Sequence, residues 1–331
     1  MKKGIAFLLC VFLLAGCVPR TAQQSVTWLD LFDTVTTVTC FTEDADAFGE
    51  ETRALREMLL QYHRLFDIYK TYDGLNNLKT VNEAAGKSPV AVNEAIIALL
   101  KDGVYFYELT GGRVNVAMGS VLSLWHEARE TGVLPSEQAL SEAARHTDIT
   151  KLVINEENGT VFLTDPAMRL DVGAIAKGWA AQKVAQTLPD GYLLSVGGNV
   201  CATGPKQADT PWVVGVQDPD GGENYLQTLA LERGSAVTSG DYQRYVEIDG
   251  EKYHHIIDPD TLYPSELWRS VTVVCDDSAL ADALSTALFV LPLERGKELL
   301  SKTAAEAMWV TADGTRQYSD GFQQHLHAKT K

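Results

Sequence analysis

The sequence predicts an α+β fold, a single domain with an antiparallel sheet core flanked by helices. Three observations carry this reading. Amphipathic helical stretches occur near both ends of the chain. Between them, from Tyr192 to Ile257, strands and turns follow one another almost without interruption. The α and β segments do not alternate regularly, which argues against a doubly wound parallel sheet.

Taken in order, Val35 to Phe41 is a β-rich run. Ala45 to Tyr69 is expected to be helical, because Leu55, Leu59, Tyr62, Leu65, Phe66 and Tyr69 recur on one face. Asn93 is placed to cap a second helix carrying Ile96, Ile97, Leu100, Val104 and Tyr107, which Gly111-Gly112 ends. Ser136 opens a short polar helix. Ile149 to Ile154 and Thr160 to Leu163 flank Asn158-Gly159, a hairpin signal. Ala174 to Leu188 reads as helix. Gly197-Gly198, Asp218 to Gly221 and Asp249-Gly250 punctuate the strand-rich block. Ser270 to Cys275 is a further strand, and helices are expected over Ala279 to Val290 and Leu293 to Lys302. No internal repeat or long linker breaks this run, so residues 27–331 are read as one domain.

The N-terminus speaks to compartment. Lys2 and Lys3 precede a short apolar run, Ile5 to Leu14, too short to span a bilayer comfortably. Leu14-Ala15-Gly16-Cys17 then resembles a bacterial lipobox. On that reading residues 1–16 are a signal peptide, Cys17 carries the lipid, and residues 17–26 are a polar tether. More than one acyl chain gives stable anchoring. The domain is therefore expected to be lipid-anchored to the cell membrane, facing the extracytoplasmic side.

Apolar residues make up 45% of the chain, enough for a sizeable core. The net charge of −16 argues against nucleic acid as a partner. It also means that a polyanion would need a metal or local donors to bind. Cys40, Cys201 and Cys275 are odd in number and lack CxxC spacing, so they read as buried free thiols.

Two stretches carry chemistry. Tyr253-His254-His255-Ile256-Ile257-Asp258-Pro259 puts two imidazoles at the end of an apolar run. Strand alternation sends their rings to opposite faces, and His255 is the candidate general base. An unperturbed imidazole would place the acid limb of its rate profile near pH 6–7. Asp282 and Thr286, at i and i+4, project from one face of a helix as an all-oxygen pair. Such a pair suits Mg²⁺ or Ca²⁺ better than zinc. From spacing alone, an aspartate stabilised by the helix dipole and a packing threonine account for it better, and the metal reading gains only in combination with the other motifs. Asp171 to Gly178 runs from a strand end into a helix, where free N–H groups and Lys177 could meet a phosphate. A small-residue helix start packed on a sheet is the alternative. Val196-Gly197-Gly198-Asn199 is a tight turn but not a dinucleotide fingerprint.

Read together, these motifs resemble the ApbE family, the FAD:protein FMN transferases. The resemblance runs through Phe32-Asp33-Thr34, Tyr72 to Asn82, Gly111 to Asn115 and Trp125, then Leu170 to Gly178 and Ser195 to Asn199. It continues through Trp212 to Pro219, Ser239 to Tyr242, His254 to Pro259 and Ala281 to Ala287. It implies an ApbE-like domain that uses Mg²⁺ to bind FAD as substrate. FMN then passes through a phosphoester bond to a Thr or Ser of an acceptor flavoprotein, with release of AMP. Carried over by position, Asp282 and Thr286 match metal ligands, Ser285 a weaker one, and Ala174 a backbone carbonyl ligand. Phe32, Tyr72, Arg113, Val114, Asn115, Asp171, Lys177 and Ile257 match FAD contacts, and His255 matches the base. The chain departs from the family pattern where Met-Gly-Thr becomes Phe32-Asp33-Thr34, where Leu262 replaces a glycine, and over Asp73 to Asn77. Hydrolysis of FAD to FMN and AMP is an alternative outcome of the same site. A lipid-anchored solute-binding protein is the alternative of another class, although the chain lacks the repeated βαβ periodicity of such lobes.

Overall fold

The computed structural model describes residues 21–222 and 224–328; Cys17 and the lipobox lie outside them. The chain opens with a hairpin, β1 (Ala22–Leu31) and β2 (Thr34–Thr42), followed by α1 (Ala45–Phe66). A helical region follows: α2 (Leu78–Glu83), β3 (Val90–Ala91), α3 (Glu94–Leu109), α4 (Gly119–Thr131) and α5 (Glu137–Ala144). Next come β4 (Leu152–Asn155), β5 (Thr160–Leu163) and α6 (Ala176–Ala185). The strand-rich block holds β6 (Tyr192–Val196), β7 (Asn199–Ala202), β8 (Trp212–Gln217), β9 (Tyr225–Leu231), β10 (Gly234–Gly240), β11 (Tyr245–Ile248), β12 (Glu251–His254) and β13 (Ser270–Cys275). The chain closes with α7 (Ser278–Phe289), α8 (Leu293–Leu300), β14 (Glu306–Val310) and β15 (Arg316–Tyr318).

Eight strands form one sheet in the order β1-β2-β6-β7-β10-β13-β14-β15, with every neighbouring pair antiparallel. Helices cover one face. Ala180, Ala181 and Val184 of α6 pack on Val38, Leu194 and Val196. Ala283, Leu284 and Ala287 of α7 share a core with Val237, Val271 and Val273. The β8–β9 ribbon covers the other face, where Val214 and Leu229 meet Ala202, Ala236 and Met308. Strand β13 is buried along its whole length because both faces are covered. This is the α+β architecture that the sequence predicts.

The caps explain several boundaries. Asn93 accepts the Ala95 N–H and Ser136 the Ala139 N–H, as their positions in the sequence suggest. Helix α1 stops at Phe66, short of the expected Tyr69. Asp67 turns extended there and its carboxylate takes the N–H groups of Tyr69 and Lys70 at 2.6 and 2.9 Å. Strand β1 begins at Ala22, so residues 22–26, placed in the tether by sequence, are strand. Ser25 and Thr39 share a hydrogen bond of 3.0 Å across the hairpin. The polar run hid this strand because it lies at the sheet edge. Helices α2 and α4 were not anticipated, and α6 is shorter than expected at both ends. No described helix is long and apolar enough to cross a membrane.

Candidate active site

Helices α6 and α7 cross at Gly178, and a Cβ there would run into the Ser278 carbonyl and the Asp282 side chain. The close approach lets the Gly178 N–H donate to Asp282 Oδ2 at 2.8 Å. In a regular helix that N–H would bond to the Ala174 carbonyl. Its diversion leaves the Ala174 carbonyl without that partner. Asp282 is 4% exposed. Burial pushes its pKa up, while Lys177, the Gly178 N–H and Asn199 favour the ionised form. One turn along α7, Thr286 is half-buried, and its hydroxyl makes no hydrogen bond among the described residues. The Ser285 hydroxyl is committed elsewhere. It donates to the Asp282 carbonyl at 2.9 Å and meets Ser239 Oγ at 2.8 Å, tying α7 to β10.

His255 follows β12. Its Nδ1 is 3.2 Å from the Arg244 carbonyl. A carbonyl only accepts, so this contact assigns the proton to Nδ1 and leaves the Nε2 lone pair free. Burial, then Lys177, Arg244, His254 and Arg129, lower the pKa of His255 to about 3. That direction favours the neutral imidazole below the pH 6–7 range expected of an ordinary one. His254 faces the core. Its Nε2 donates to the Ser265 carbonyl at 2.7 Å, its Nδ1 accepts the Ile256 N–H at 3.2 Å, and its ring lies edge-on to Phe289. Neither of its nitrogens is free for chemistry.

Lys177 is thus close enough to influence both Asp282 and His255. Among the described residues, none of Lys177, Arg129 and Arg244 has a carboxylate oxygen within 4.0 Å. These unpaired cations belong to a chain with 44 acidic and 28 basic residues. Such a concentration marks a place where a polyanion is to be held. Arg244 also donates to the Asp33 carbonyl at 3.4 Å, linking the β1–β2 turn to the base.

The remaining predicted residues have partners of their own. Asp171 Oδ1 accepts the Gly173 N–H at 2.8 Å, and its Oδ2 is 3.7 Å from His126 Nε2. Phe32 sits at the hairpin tip with φ +54°, its N–H donating to His63 Nδ1 at 3.0 Å. The Tyr72 hydroxyl donates to Asp67 at 2.7 Å, and burial with that bond pushes its pKa up to about 12. Arg113 pairs with Asp260 at 2.5 Å and more loosely with Asp258 at 3.5 Å. Val114 lies in the core, and the Asn115 amide bonds the Thr147 carbonyl and the Ala117 N–H. Ile257 is buried with Met118, Val121 and Trp125. Val114, Asn115 and Ile257 therefore shape the wall from behind. A cavity of about 220 Å³ lies apart, between the end of α3 and α8, and meets these residues only at Arg113.

Sequence reasoning missed Tyr69, His126, Arg129 and Arg244. The Tyr69 hydroxyl is 2.7 Å from His126 Nδ1, and burial lowers the pKa of His126. His126 and Arg129 are at i and i+3 on α4, so recognising that helix would have placed them on one face. Among the described residues no group of three or more His, Cys, Asp and Glu could hold a metal. The three cysteines are buried and free, as expected.

The sequence profile of the ApbE family matches residues 32–309. The chain is 36% identical over 265 residues to the FAD:protein FMN transferase of Treponema pallidum (strain Nichols), covering 74% of this chain and 73% of that protein. It is 29% identical over 339 residues to the FAD:protein FMN transferase of Vibrio cholerae, covering 98% and 99%. The crystal structure of the ApbE protein from Thermotoga maritima superposes with a TM-score of 0.84 at 28% identity, covering 93% of this chain and 100% of that one. The flavin transferase ApbE from Vibrio cholerae superposes with a TM-score of 0.80 at 25% identity, covering 92% and 100%. With the profile spanning most of the chain and the fold shared from end to end, this chain belongs to the ApbE family.

Proposed function

We infer that this chain is an FAD:protein FMN transferase that cleaves FAD with Mg²⁺ and leaves FMN on a hydroxyl of an acceptor flavoprotein. One observation carries the chemistry. A buried carboxylate held by a backbone N–H and an imidazole with a free Nε2 share Lys177 as a charged neighbour, and Arg129 and Arg244 add further cations beside the imidazole. The donors suit Mg²⁺: the Asp282 oxygen not bonded to Gly178, the Ala174 carbonyl freed by that bond, and the Thr286 hydroxyl. Mg²⁺ takes few carboxylates and shares its remaining positions with phosphates and water. When bound, it would neutralise charge on the pyrophosphate.

The chain's own residues do the rest. His255 Nε2 takes the proton from the acceptor Thr or Ser hydroxyl. The oxygen attacks the phosphorus on the FMN side, forming the new O–P bond. The bridging P–O bond breaks and its oxygen leaves with AMP, which can accept the proton from His255. Lys177, Arg129 and Arg244 meet the phosphate charge. Phe32, Tyr72, Asp171 and Arg113 are proposed, by the family resemblance, to contact the flavin nucleotide. Water in place of the acceptor would give hydrolysis to FMN and AMP. The test is incubation with FAD and Mg²⁺, with and without an acceptor peptide carrying threonine. AMP together with flavin covalently bound to the peptide supports transfer. AMP with only free FMN means hydrolysis, and no AMP defeats both.

We further propose that Cys17 carries a lipid anchor and that the domain works outside the cytoplasm. The support is the basic, apolar and small-residue order from Lys2 to Cys17. Cys17→Ser is expected to move the protein from the membrane fraction to the soluble one with FAD cleavage intact. A variant still membrane-bound after a carbonate wash would overturn the anchor.

A further inference from the structure

The two-residue turn Gly197-Gly198, with φ of +58° and +90°, joins β6 to β7 and delivers Asn199 as the first residue of the second strand. Val200 and Ala202 pack beneath the β8–β9 ribbon, so alternation sends Asn199 to the opposite face, under α6 and α7. There it is 2% exposed, and its Nδ2 has no hydrogen-bond partner among the described residues. A buried amide left unpaired is costly, so such a group calls for a reason. Asp282 supplies one. Its carboxylate has one donor on Oδ2, and the Asn199 amide lies close enough to favour its ionised form while stopping short of a well-formed hydrogen bond.

We propose that Asn199 is a positioning residue for the metal ligand Asp282, its amide steadying the carboxylate so that the oxygen not bonded to Gly178 stays aimed at the cation. An amide fits this task because it donates without adding charge. A carboxylate at the same place would repel Asp282, and an alkyl group would leave it with the Gly178 N–H alone. Groups that hold a ligand in this way typically change metal affinity by about 10–100-fold.

This inference rests on the Mg²⁺ reading of the Asp282 site, and the experiment separates the two. Mn²⁺ alone, a paramagnetic stand-in for Mg²⁺, is titrated into the mature protein and free ion is followed by electron paramagnetic resonance. Thermal melting checks that each variant is folded. Asn199→Ala is expected to weaken Mn²⁺ binding by about 10–100-fold. Asn199→Ser, close in size to the alanine variant but keeping a donor, should recover part of the loss, which a packing role would not predict. Folded Asn199→Ala with wild-type Mn²⁺ affinity would overturn the role, as would equal losses in the Ala and Ser variants. Tighter binding by Asn199→Asp would also overturn it, since the side chain would then be a direct ligand. Failure of the wild type to bind Mn²⁺, with FAD cleavage indifferent to Mg²⁺, would instead bring down the metal reading itself.

Discussion

The two walls of the cleft hold charge in opposite ways. The α6–α7 wall presents one carboxylate, dry and fixed by a main-chain N–H at a crossing that admits only glycine. The wall built from α4 and the β11–β12 hairpin spreads Arg129, Arg244 and His255 over a wetter surface and steadies His255 through a carbonyl. Burial pushes Asp282 toward its neutral acid, and burial with nearby cations pushes His255 toward its neutral base. The α6–α7 wall sets its one carboxylate beside Lys177, whereas Arg129 and Arg244 on the other wall have no carboxylate oxygen within 4.0 Å among the described residues. The proposed Mg²⁺ and pyrophosphate would complement the two walls together.

The largest expected effect breaks the dry wall. Asp282→Ala should abolish FAD turnover at ordinary Mg²⁺ while the domain stays folded, with partial return at high Mg²⁺. Asp282→Asn keeps an acceptor for the Gly178 N–H but removes the charge, and it should fail almost as badly. Full activity of either variant in an AMP-release assay would remove Asp282 from the metal site.

Breaking the other wall should cost less. His255→Ala is expected to lower transfer by about 10² to 10⁴, the range for a positioned base, with FAD still bound. His254→Ala makes the contrast between neighbours. It leaves the Ser265 carbonyl and the Ile256 N–H without their side-chain partner, so it should lower the melting temperature and spare the rate per folded molecule. Flavin fluorescence reads binding, and covalent flavin on a threonine peptide reads transfer. Equal kinetic losses in the two variants would sink the assignment.

The two walls also differ in how much of them the sequence disclosed. Asp282 and Thr286 were legible because helix periodicity fixes i, i+4 neighbours whatever the fold. The Ala174 carbonyl was reachable only through family resemblance, since no side chain announces a main-chain oxygen. His255 was legible from strand alternation, but its company was not. Arg129 lies on α4, whose small and polar residues blur its period, and Arg244 lies in a turn. Their convergence is tertiary, made by packing Trp125 of α4 against Tyr253 and Tyr263. The same gap misplaced the pH expectation. Spacing cannot reveal that Lys177, Arg129 and Arg244 surround one imidazole.

That company sharpens into a pH profile. With the folded pKa of His255 lowered to about 3, the free enzyme keeps its base neutral far below the ordinary imidazole value. The kcat/KM for FAD should therefore stay level from pH 7.5 to about 5, where an unperturbed histidine would be largely protonated. Bound pyrophosphate would offset the cations and raise the pKa, so the acid limb of kcat should lie above that of kcat/KM. The sign for stability follows as well. The unfolded chain binds a proton near pH 6.5 that the folded chain refuses, so the His255 contribution is complete above that value and is lost as pH falls toward 3. His255→Gln should flatten this part of the acid dependence. A kcat/KM limb at pH 6–7 would mean that the cations are not where the structure puts them.

The smallest expected effect tests two turns that border the charged wall, where the chain departs from its family. Asp33 and Leu262 have φ of +51° and +65°, a region that suits glycine, and Phe32 precedes Asp33 at +54°. Asp33 is exposed, and its recorded link to the site is its carbonyl, which accepts from Arg244 and which glycine would keep. Asp33→Gly should therefore relieve strain and stabilise the fold by about 0.5–1 kcal/mol, the scale of such backbone effects. Leu262 differs because its side chain packs with the Trp125 cluster. Leu262→Gly gains the same backbone freedom but loses a partly buried side chain, a fraction of the about 1.5–3 kcal/mol that a fully buried leucine is worth. The prediction is opposite shifts in urea midpoint, up for Asp33→Gly and down for Leu262→Gly, with activity at saturating FAD little changed for the first. A drop for both would mean that the Asp33 side chain holds the turn in a way its exposed position does not reveal. A rise for both would mean that backbone strain outweighs the Leu262 packing.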